Sequence, residues 1–391
     1  MAIRKRSWKT PNGEPRTSWQ YSYTGSDGKR YAKQFKTKSE AIAHETRVRA
    51  ELAQGTHVSE SSSCTVDEAA ELWIRAGEHD GLEATTIRQR VQHRKHLKPF
   101  IGHERLVRLT TPRIEALKDQ LVEKKGRPMA RRILTSLKGI LAEARRRGLI
   151  GHDPAASVRV IVRRAEAMDD ERAPIPSKSE IKLLLSKAQE LWPSMSRLST
   201  GKEQKVLYSP WRVLFNVALF TGLRQSEIRG LRWADIDLKA ARLSVRQRAD
   251  RWGKIGVPKS KAGKRDIPLA PGVLNLLREW KLVSPKFESD LVFPNEHGRP
   301  ILGTNLYHQG WLPLLKACGL FDEVTGPKIT FHSLRHAFAS LMIEARWQPK
   351  KVQATMGHSS IQVTYDVYGK LFEEHQHDAD AIASIEVSLL R

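Results

Sequence analysis

The sequence predicts an α+β fold, mostly helical, spread over more than one domain. Apolar residues recur at helical spacing over long stretches, as from Ile133 to Ala144 and from Trp211 to Phe220. Strand-like segments are short and confined to the region near the N-terminus and the stretch between Leu243 and Leu269. The order of helix cluster, small sheet and helix cluster fits α+β better than the strict alternation of a parallel α/β sheet. At 391 residues the chain exceeds what one hydrophobic core usually serves, so two or three domains are expected. Composition shifts place them at residues 1–58, 65–164 and 170–391.

Residues 1–58 read as a small β-sheet followed by a helix. Trp19-Gln20-Tyr21-Ser22-Tyr23 alternates as a half-buried strand does, Ser26-Asp27-Gly28 supplies turn chemistry, and Tyr31-Ala32-Lys33-Gln34-Phe35 returns as a second strand. Ser39 to Leu52 is the helix. Basic side chains interleave with aromatic ones on these strands, which suits either a solvated face over a small core or a nucleic-acid reader. The polar, Ser-rich Gly55 to Ser63 is a linker.

Residues 65–164 read as all helix. Thr65-Val66-Asp67-Glu68 is a capping box opening a helix through Trp73-Ile74. Thr111-Pro112 places a cap and then proline at the first helical position. Ile133, Leu134, Leu137, Ile140, Leu141 and Ala144 keep one apolar stripe, ended by Gly148. Arg145-Arg146-Arg147 lies in the last turn, where cations suit the helix dipole or meet phosphate. Pro154 and the basic run Arg159 to Arg164 begin a second linker that continues to Pro176. Beyond it, Ser177-Lys178-Ser179-Glu180 is another capping box, and Trp211 to Phe220 is an apolar helix. Leu243 to Val245, Ile255 to Val257 and Ile267 to Leu269 are short strands. Helices resume at Pro271, around Leu306 to Ala317, and through the C-terminus.

The net charge is +24, from 67 Lys and Arg against 43 Asp and Glu. Residues 1–58, 65–164 and 165–391 carry +7, +10 and +8, so the basicity belongs to the whole length. A field of that sign draws polyanions and releases their counterions, which makes nucleic acid the expected partner. An anionic membrane surface is second, without a lipidation signal or a run long enough to span a bilayer. No apolar signal segment follows the basic Met1 to Arg6. Two cysteines without CxxC spacing, Cys64 and Cys318, argue against a disulfide framework or zinc site and for a reduced cytoplasmic protein. There is no HExxH or P-loop. In Glu374-His375-Gln376-His377-Asp378 the histidines diverge on a helix, so a solvated tail is expected and no metal. Ile382, Ile385 and Leu389 form a terminal stripe for packing on its own domain or on a neighbouring protomer.

The residues with chemical potential lie in the last segment. Arg224 stands at a break between the apolar helix and one starting near Ser226, where Gly222 permits a tight turn. Glu227 either orients that arginine or only suits the first helical turn. His332 and Arg335, at i and i+3, project from one helix face. Gly357 ends a helix opened by Pro349, and Thr364 and Tyr368 lie one turn apart on the next. A helical tyrosine ordinarily serves packing; the basic neighbours are what change that reading.

In this order the residues resemble the tyrosine recombinases, the phage integrase family. Thr221-Gly222-Leu223-Arg224 with Ser226-Glu227 matches the first arginine box, and His332-Ser333-Leu334-Arg335-His336 the His-x-x-Arg box. Met356-Gly357-His358-Ser359-Ser360 matches the third position and Tyr368 the nucleophile. Ser260-Lys261-Ala262-Gly263, before Arg265-Asp266-Ile267-Pro268-Leu269, resembles the hairpin bearing the family lysine, with Lys259 and Lys264 flanking Lys261. Tyr365 is nearer His358 in sequence, but Tyr368 aligns better through Thr364 and Gly369-Lys370. One box alone is weak; all in order, with tyrosine last, are specific. They cover residues 211–371. The middle and N-terminal segments are similar in layout to the core-binding and arm-binding domains of larger integrases.

The resemblance implies a tyrosine-recombinase catalytic domain and a site-specific DNA recombinase that integrates or excises a phage or mobile element. Tyr368 would attack the scissile phosphate, leaving a 3′-phosphotyrosine and a free 5′-hydroxyl, with no ATP, metal or other cofactor. Arg224 and Arg335 would hold the non-bridging oxygens. His332 and His358 would complete the cradle, His332 also being able to accept the tyrosine proton, and Lys261 would protonate the leaving oxygen. The implied partners are double-stranded DNA at attachment sites and a homotetramer assembled on it, with a host DNA-bending protein and an excision factor left open, and no membrane. A type IB topoisomerase shares the chemistry, but the separate N-terminal and helical domains favour the recombinase. A DNA-binding regulator without chemistry is opposed by the intact residue set.

Overall fold

A computed structural model describes residues 2–374, except 13, 26–27, 56, 61–62, 162–173, 194–196, 201–202 and 207–208. The chain forms two compact units, Met1–Ala167 and Met168–Arg391, which divide within the second expected linker. The tail bearing His375, His377, Ile382, Ile385 and Leu389 lies outside the described residues, as do Ser26 and Asp27. No helix among the described residues is long and apolar enough to cross a membrane.

In the first unit β1 (Ala2–Lys9), β2 (Pro15–Thr24) and β3 (Arg30–Phe35) form an antiparallel meander in that order. Trp19 of β2 faces Lys5 on one side and Phe35 on the other. The alternation read on β2 puts Tyr21 and Tyr23 inward, where they share a small core with Val48 of α1 (Lys38–Ala53). β1 was not expected from the sequence. Its run AIRKRSWK is almost wholly exposed and carries no apolar alternation; ladder hydrogen bonds hold it, and its Lys and Arg side chains blunt an open sheet edge. Glu60 in the first linker pairs with Lys33 of β3 at 2.8 Å and also with Arg108.

Among the described residues, the rest of this unit holds four α-helices, α2 (Val66–His79), α3 (Ala84–Ile101), α4 (Thr111–Lys125) and α5 (Arg127–Arg146), with a 3₁₀ turn at Leu106–Arg108. Thr65 and Glu68 close the expected capping box on α2. The cap of α4 is Thr110, one residue before the position read from the sequence; its hydroxyl accepts from the Arg113 N–H, and Pro112 sits within the first turn. The stripe from Ile133 to Ala144 is buried against Val66, Leu97 and Leu117. Arg94 clasps Asp67 through two hydrogen bonds of 2.7 and 3.0 Å, tying α3 to α2. Arg146 and Arg147 both bond Glu143 at the end of α5.

The second unit opens with α6 (Lys178–Leu191), capped by Ser177 and Glu180. An antiparallel pair, β4 (Arg197–Thr200) and β5 (Glu203–Val206), follows. Then come α7 (Trp211–Thr221), α8 (Gln225–Arg229), β6 (Ile236–Asp237), β7 (Arg242–Val245), β8 (Arg248–Ala249), β9 (Ile255–Gly256), β10 (Arg265–Pro268) and α9 (Pro271–Val283). A joined helical run, α10, comprises Gly303–Asn305, the π-helical Leu306–Trp311 and Leu312–Ala317. A short hairpin of β11 (Phe321–Asp322) and β12 (Gly326–Pro327) leads to α11 (Ser333–Glu344), α12 (Pro349–Met356) and α13 (Ile361–Glu374). The main sheet has the order β10-β7-β6, with Ile267 opposite Leu243. Ile255 instead pairs with Ala249 in the separate β8-β9 hairpin. The large core joins α6, α7, β7, β10, α9, α10 and the start of α11. A smaller one collects Met342, Ile343, Val352, Met356 and Tyr368 from the last three helices.

Leu137 lies at the centre of the α2–α5 core with no exposed surface. Leu137→Ala is expected to cost about 2–5 kcal/mol of local stability. Native-state hydrogen exchange of the full chain reads this directly: unchanged protection of α4 and α5 amides contradicts the packing.

Candidate active site

Two helix ends organise the site. α7 stops at Gly222 and α12 at Gly357, both in the left-handed region with φ of +60° and +65°. Neither place tolerates a side chain. A Cβ on Gly222 would come 2.5 Å from the Phe338 ring, and one on Gly357 would come 2.9 Å from Ala262 O and from Arg265 Nη1. The carbonyls left unpaired at these helix ends face guanidinium groups. Arg335 Nη1 donates to Gly222 O at 2.6 Å, and its Nη2 donates to Met356 O. Arg224 Nη2 donates to Gly357 O at 3.0 Å.

Arg224 is the residue before α8, and Glu227 in the first turn of that helix reaches back to it. The carboxylate accepts from the Arg224 backbone N–H and from its Nη1, both at 2.9 Å. The same carboxylate accepts from Arg265 Nη1 at 3.2 Å and Nη2 at 2.8 Å. Glu227 therefore does more than suit a helix dipole. Burial pushes its carboxyl up, but the Arg265 hydrogen bonds and charge, then Arg224, outweigh that and hold it at about 2. Arg265 also donates to Thr355 O at 2.6 Å and Gly263 O at 3.0 Å, so it fastens the lysine-bearing turn to α12. Lys261 opens that 3₁₀ turn with its side chain exposed, as are Lys259 and Lys264. Burial, then Arg224 and Arg265, lower Arg335 to about 9, so it stays charged at neutral pH.

The histidines and the tyrosine close the arrangement. His358 is buried; its Nδ1 lies 2.9 Å from Thr364 Oγ1, and its ring runs parallel to Tyr368 at 6.4 Å. Thr364 and Tyr368 share the buried face of α13 as their spacing predicts, and Tyr368 is only 1% exposed. Its hydroxyl lies 2.7 Å from His336 Nδ1. His332, just before α11, is exposed and touches the His336 ring edge-on at 4.9 Å. Tyr365 is exposed and packs on Phe372. Desolvation, followed by the charges of Arg335, Arg224 and Arg265, lowers His358 to about 3. The surrounding protein, then His336, Arg335 and Arg224, lowers His332 to about 4. Burial and then Arg335 lower His336. All three rings are neutral at neutral pH. Burial raises the Tyr368 phenol, opposed only by Arg335.

The structure thus gathers Arg224, Arg335, His358 and Tyr368, with His332 one ring away and the Lys261 turn against Gly357. Among the described residues no hydrogen bond or ion pair holds the Lys261 ammonium. Sequence reasoning missed His336 and Arg265. His336 stands one turn from His332 on the same face, which was a usable signal. The sequence does not show that Arg265 bonds Glu227.

A tyrosine set beside guanidinium groups in a mostly helical α+β unit defines a class of anion-binding catalytic domain. Residues 192–375 match the model of the phage integrase family. The ICEBs1 integrase of Bacillus subtilis (strain 168) is 22% identical over 349 residues, 88% of each chain. The transposase from transposon Tn916 of Enterococcus faecalis is 32% identical over 163 residues, 39% of this chain and 40% of that one. A XerC-like tyrosine recombinase of Caldanaerobacter subterraneus is 29% identical over 43% of this chain and 47% of its own. The chain spans about half the length or less of several curated relatives it matches, these last two included. Among solved structures, the Tn1549 transposon integrase in complex with a circular intermediate DNA aligns with a TM-score of 0.65 at 21% identity, over 84% of this chain and all of that one. A λ integrase tetramer bound to a Holliday junction aligns at 0.56 and 20%, over 90% and 95%. These two share the fold. The matched segment, residues 192–375, carries the domain of the phage integrase family, and the relatives support a tyrosine recombinase.

Glu227→Gln removes the one carboxylate between two guanidinium groups, and is expected to cost about 3–5 kcal/mol at neutral pH. The folded carboxyl titrates near 2, below its unfolded value of about 4.3. Its contribution is therefore complete above about pH 4.3 and lost as pH falls towards 2. Denaturant unfolding of both proteins should show their stability gap narrowing through that window; a constant gap contradicts the assignment.

Proposed function

We propose that the chain is a site-specific DNA recombinase that cleaves and rejoins double-stranded DNA through a 3′-phosphotyrosine, integrating or excising a phage or mobile element. The observation that supports this best is the meeting of Arg224, Arg335, His358 and Tyr368 at two glycine-capped helix ends. Tyr368 is the nucleophile. Arg224 and Arg335 each give some of their N–H donors to carbonyls or Glu227, and aim others at the non-bridging oxygens as charge builds. His332 and His358, both neutral, donate to the same phosphate. Lys261 protonates the leaving 5′-oxygen from a turn that Arg265 holds beside Gly357. The phosphodiester energy is kept in the tyrosyl ester, so rejoining needs no outside energy source.

In this reading residues 1–58 bind arm-type DNA, 65–164 bind the core site, and 170–391 carry the catalysis. The charge excess in each of these segments supports it. Four copies act together on two duplexes, in line with the λ integrase tetramer on a Holliday junction. A host DNA-bending protein and an excision factor rest on the family resemblance alone. The place of action is the cytoplasm of the cell whose DNA is recombined.

A nicked duplex built from the DNA flanking the coding gene traps the covalent intermediate. The native chain and Tyr365→Phe should form the adduct, and Arg335→Lys should form it about 10²–10³-fold more slowly. An adduct that persists in Tyr368→Phe refutes the assignment. Cleavage at every site in a mixed plasmid would instead indicate a topoisomerase. Lys261→Ala should cleave an ordinary phosphodiester slowly and recover on a 5′-bridging phosphorothiolate, whose sulfur leaves without a proton. Equal defects on both substrates would remove Lys261 from the role of acid.

A further inference from the structure

We propose that His336 is the base that takes the hydroxyl proton of Tyr368 during attack and returns it on rejoining. The inference rests on Tyr368 being the nucleophile, and goes further by naming the proton's destination. The contact is direct, with Oη 2.7 Å from Nδ1. In the tautomer that accepts this bond, Nε2 carries the ring hydrogen.

The other basic groups nearby do not fit the task. The family resemblance offers His332, but its ring meets the edge of His336 and not the phenol. His358 commits Nδ1 to Thr364 and lies parallel to the Tyr368 ring, 12° from coplanar, so it stacks rather than points at the hydroxyl. Arg335 is close enough to be felt by Tyr368, but a guanidinium has no acceptor. Geometry holds the pair in place. His336 follows the buried Arg335 on α11, and Tyr368 is locked in the apolar cluster of α11, α12 and α13. The charged and titratable groups facing His336 are Arg335, His332, His358 and Tyr368. Burial and Arg335 keep the imidazole unprotonated at neutral pH, so it is ready to accept.

The step balances. The Oη–P bond forms and the P–O5′ bond breaks; the phenolic proton moves to Nδ1, giving an imidazolium. The 5′-oxygen receives its proton from the acid assigned to Lys261. In rejoining, the 5′-hydroxyl attacks phosphorus and gives its proton back to the Lys261 amine, the Oη–P bond breaks, and the imidazolium returns its proton to the leaving phenolate. A phenol raised by burial attacks as the neutral hydroxyl, and its proton becomes acidic only as the bond to phosphorus forms. That is the moment when a positioned base counts.

His336→Asn separates proton transfer from positioning, because the amide can present an acceptor near the place of Nδ1 but cannot hold a proton. In single-turnover cleavage of the nicked duplex by the full chain, we expect a loss of about 10²–10³-fold at pH 7. The variant rate should climb about tenfold per pH unit towards pH 10 as hydroxide substitutes, while the native rate stays flat, and the 5′-bridging phosphorothiolate should not restore it. DNA affinity and the thermal midpoint should match the native chain. If the Asn variant folds poorly, His336→Ala with added imidazole serves instead, and acceleration by the free base is expected. A His336→Asn variant with the native rate and pH profile, or a folded His336→Ala variant indifferent to imidazole, overturns this inference and leaves the recombinase reading intact. Failure of the native chain to form any adduct overturns both.

Discussion

The catalytic unit depends on how three guanidinium groups are kept together around one carboxylate. Arg224 and Arg265 lie close enough to Arg335 to lower it, and Glu227 is the acid shared by those two. Removing charge from water is costly unless partners are supplied. Arg265 finds its partners in Glu227, Thr355 O and Gly263 O. Arg335 is buried and, among the described residues, bonds no carboxylate; it takes the carbonyls of Gly222 and Met356. Those oxygens terminate α7 and α12, where the helix dipole is negative. The two helix ends thus compensate part of a positive charge that one carboxylate cannot neutralise. A surplus remains, and an incoming anion relieves it.

The same surplus adds to desolvation in setting the state of the imidazoles. His336 and His358 titrate low through burial first and guanidinium charge as an added cause, and His332 through desolvation at its ring, then His336 and the arginines. Neutral rings can accept a proton or donate from one nitrogen, roles that a ring of fixed imidazoliums could not combine. The glycines come before any of this. Without the left-handed turns at Gly222 and Gly357, the carbonyls would not face the arginines, and the β10 turn could not approach α12.

What the sequence showed follows from how local each signal is. Capping boxes at Thr65 and Ser177, the α5 stripe, and the shared face of Thr364 and Tyr368 are written within a few residues, and the structure has them as read. Motif order pointed to Arg224, His332, Arg335, His358 and Tyr368, and the structure brings Arg224, Arg335, His358 and Tyr368 together. β1 was illegible because an exposed edge strand rich in Lys and Arg has no periodicity to read. Ile255 was legible as a strand but not its partner Ala249, in a hairpin apart from the main sheet; strand content is local, whereas pairing is not. Arg265 was seen as the start of a strand. Its partnership with Glu227 arises only when β10 pairs with β7 and brings that strand to α12. His336 was within a recognised box, but spacing on α11 cannot say which ring meets a tyrosine on α13.

Burial of the tyrosine links stability to the proposed chemistry. Tyr368 belongs to the same apolar cluster as Met342, Val352 and Met356, so the helix carrying it is fixed by packing and not by charge. An ionised phenol there would be drawn to the guanidinium groups and would be costly to desolvate, so a neutral hydroxyl with a waiting acceptor is the stable resting form. In the proposed chemistry the apolar surroundings would also restrict water near a tyrosyl ester. Hydrolysis would end a rejoining cycle by releasing the energy the ester stores. As the proposed nucleophile, a tyrosine packed in an apolar cluster favours the strand's own 5′-hydroxyl over solvent as the next attacker.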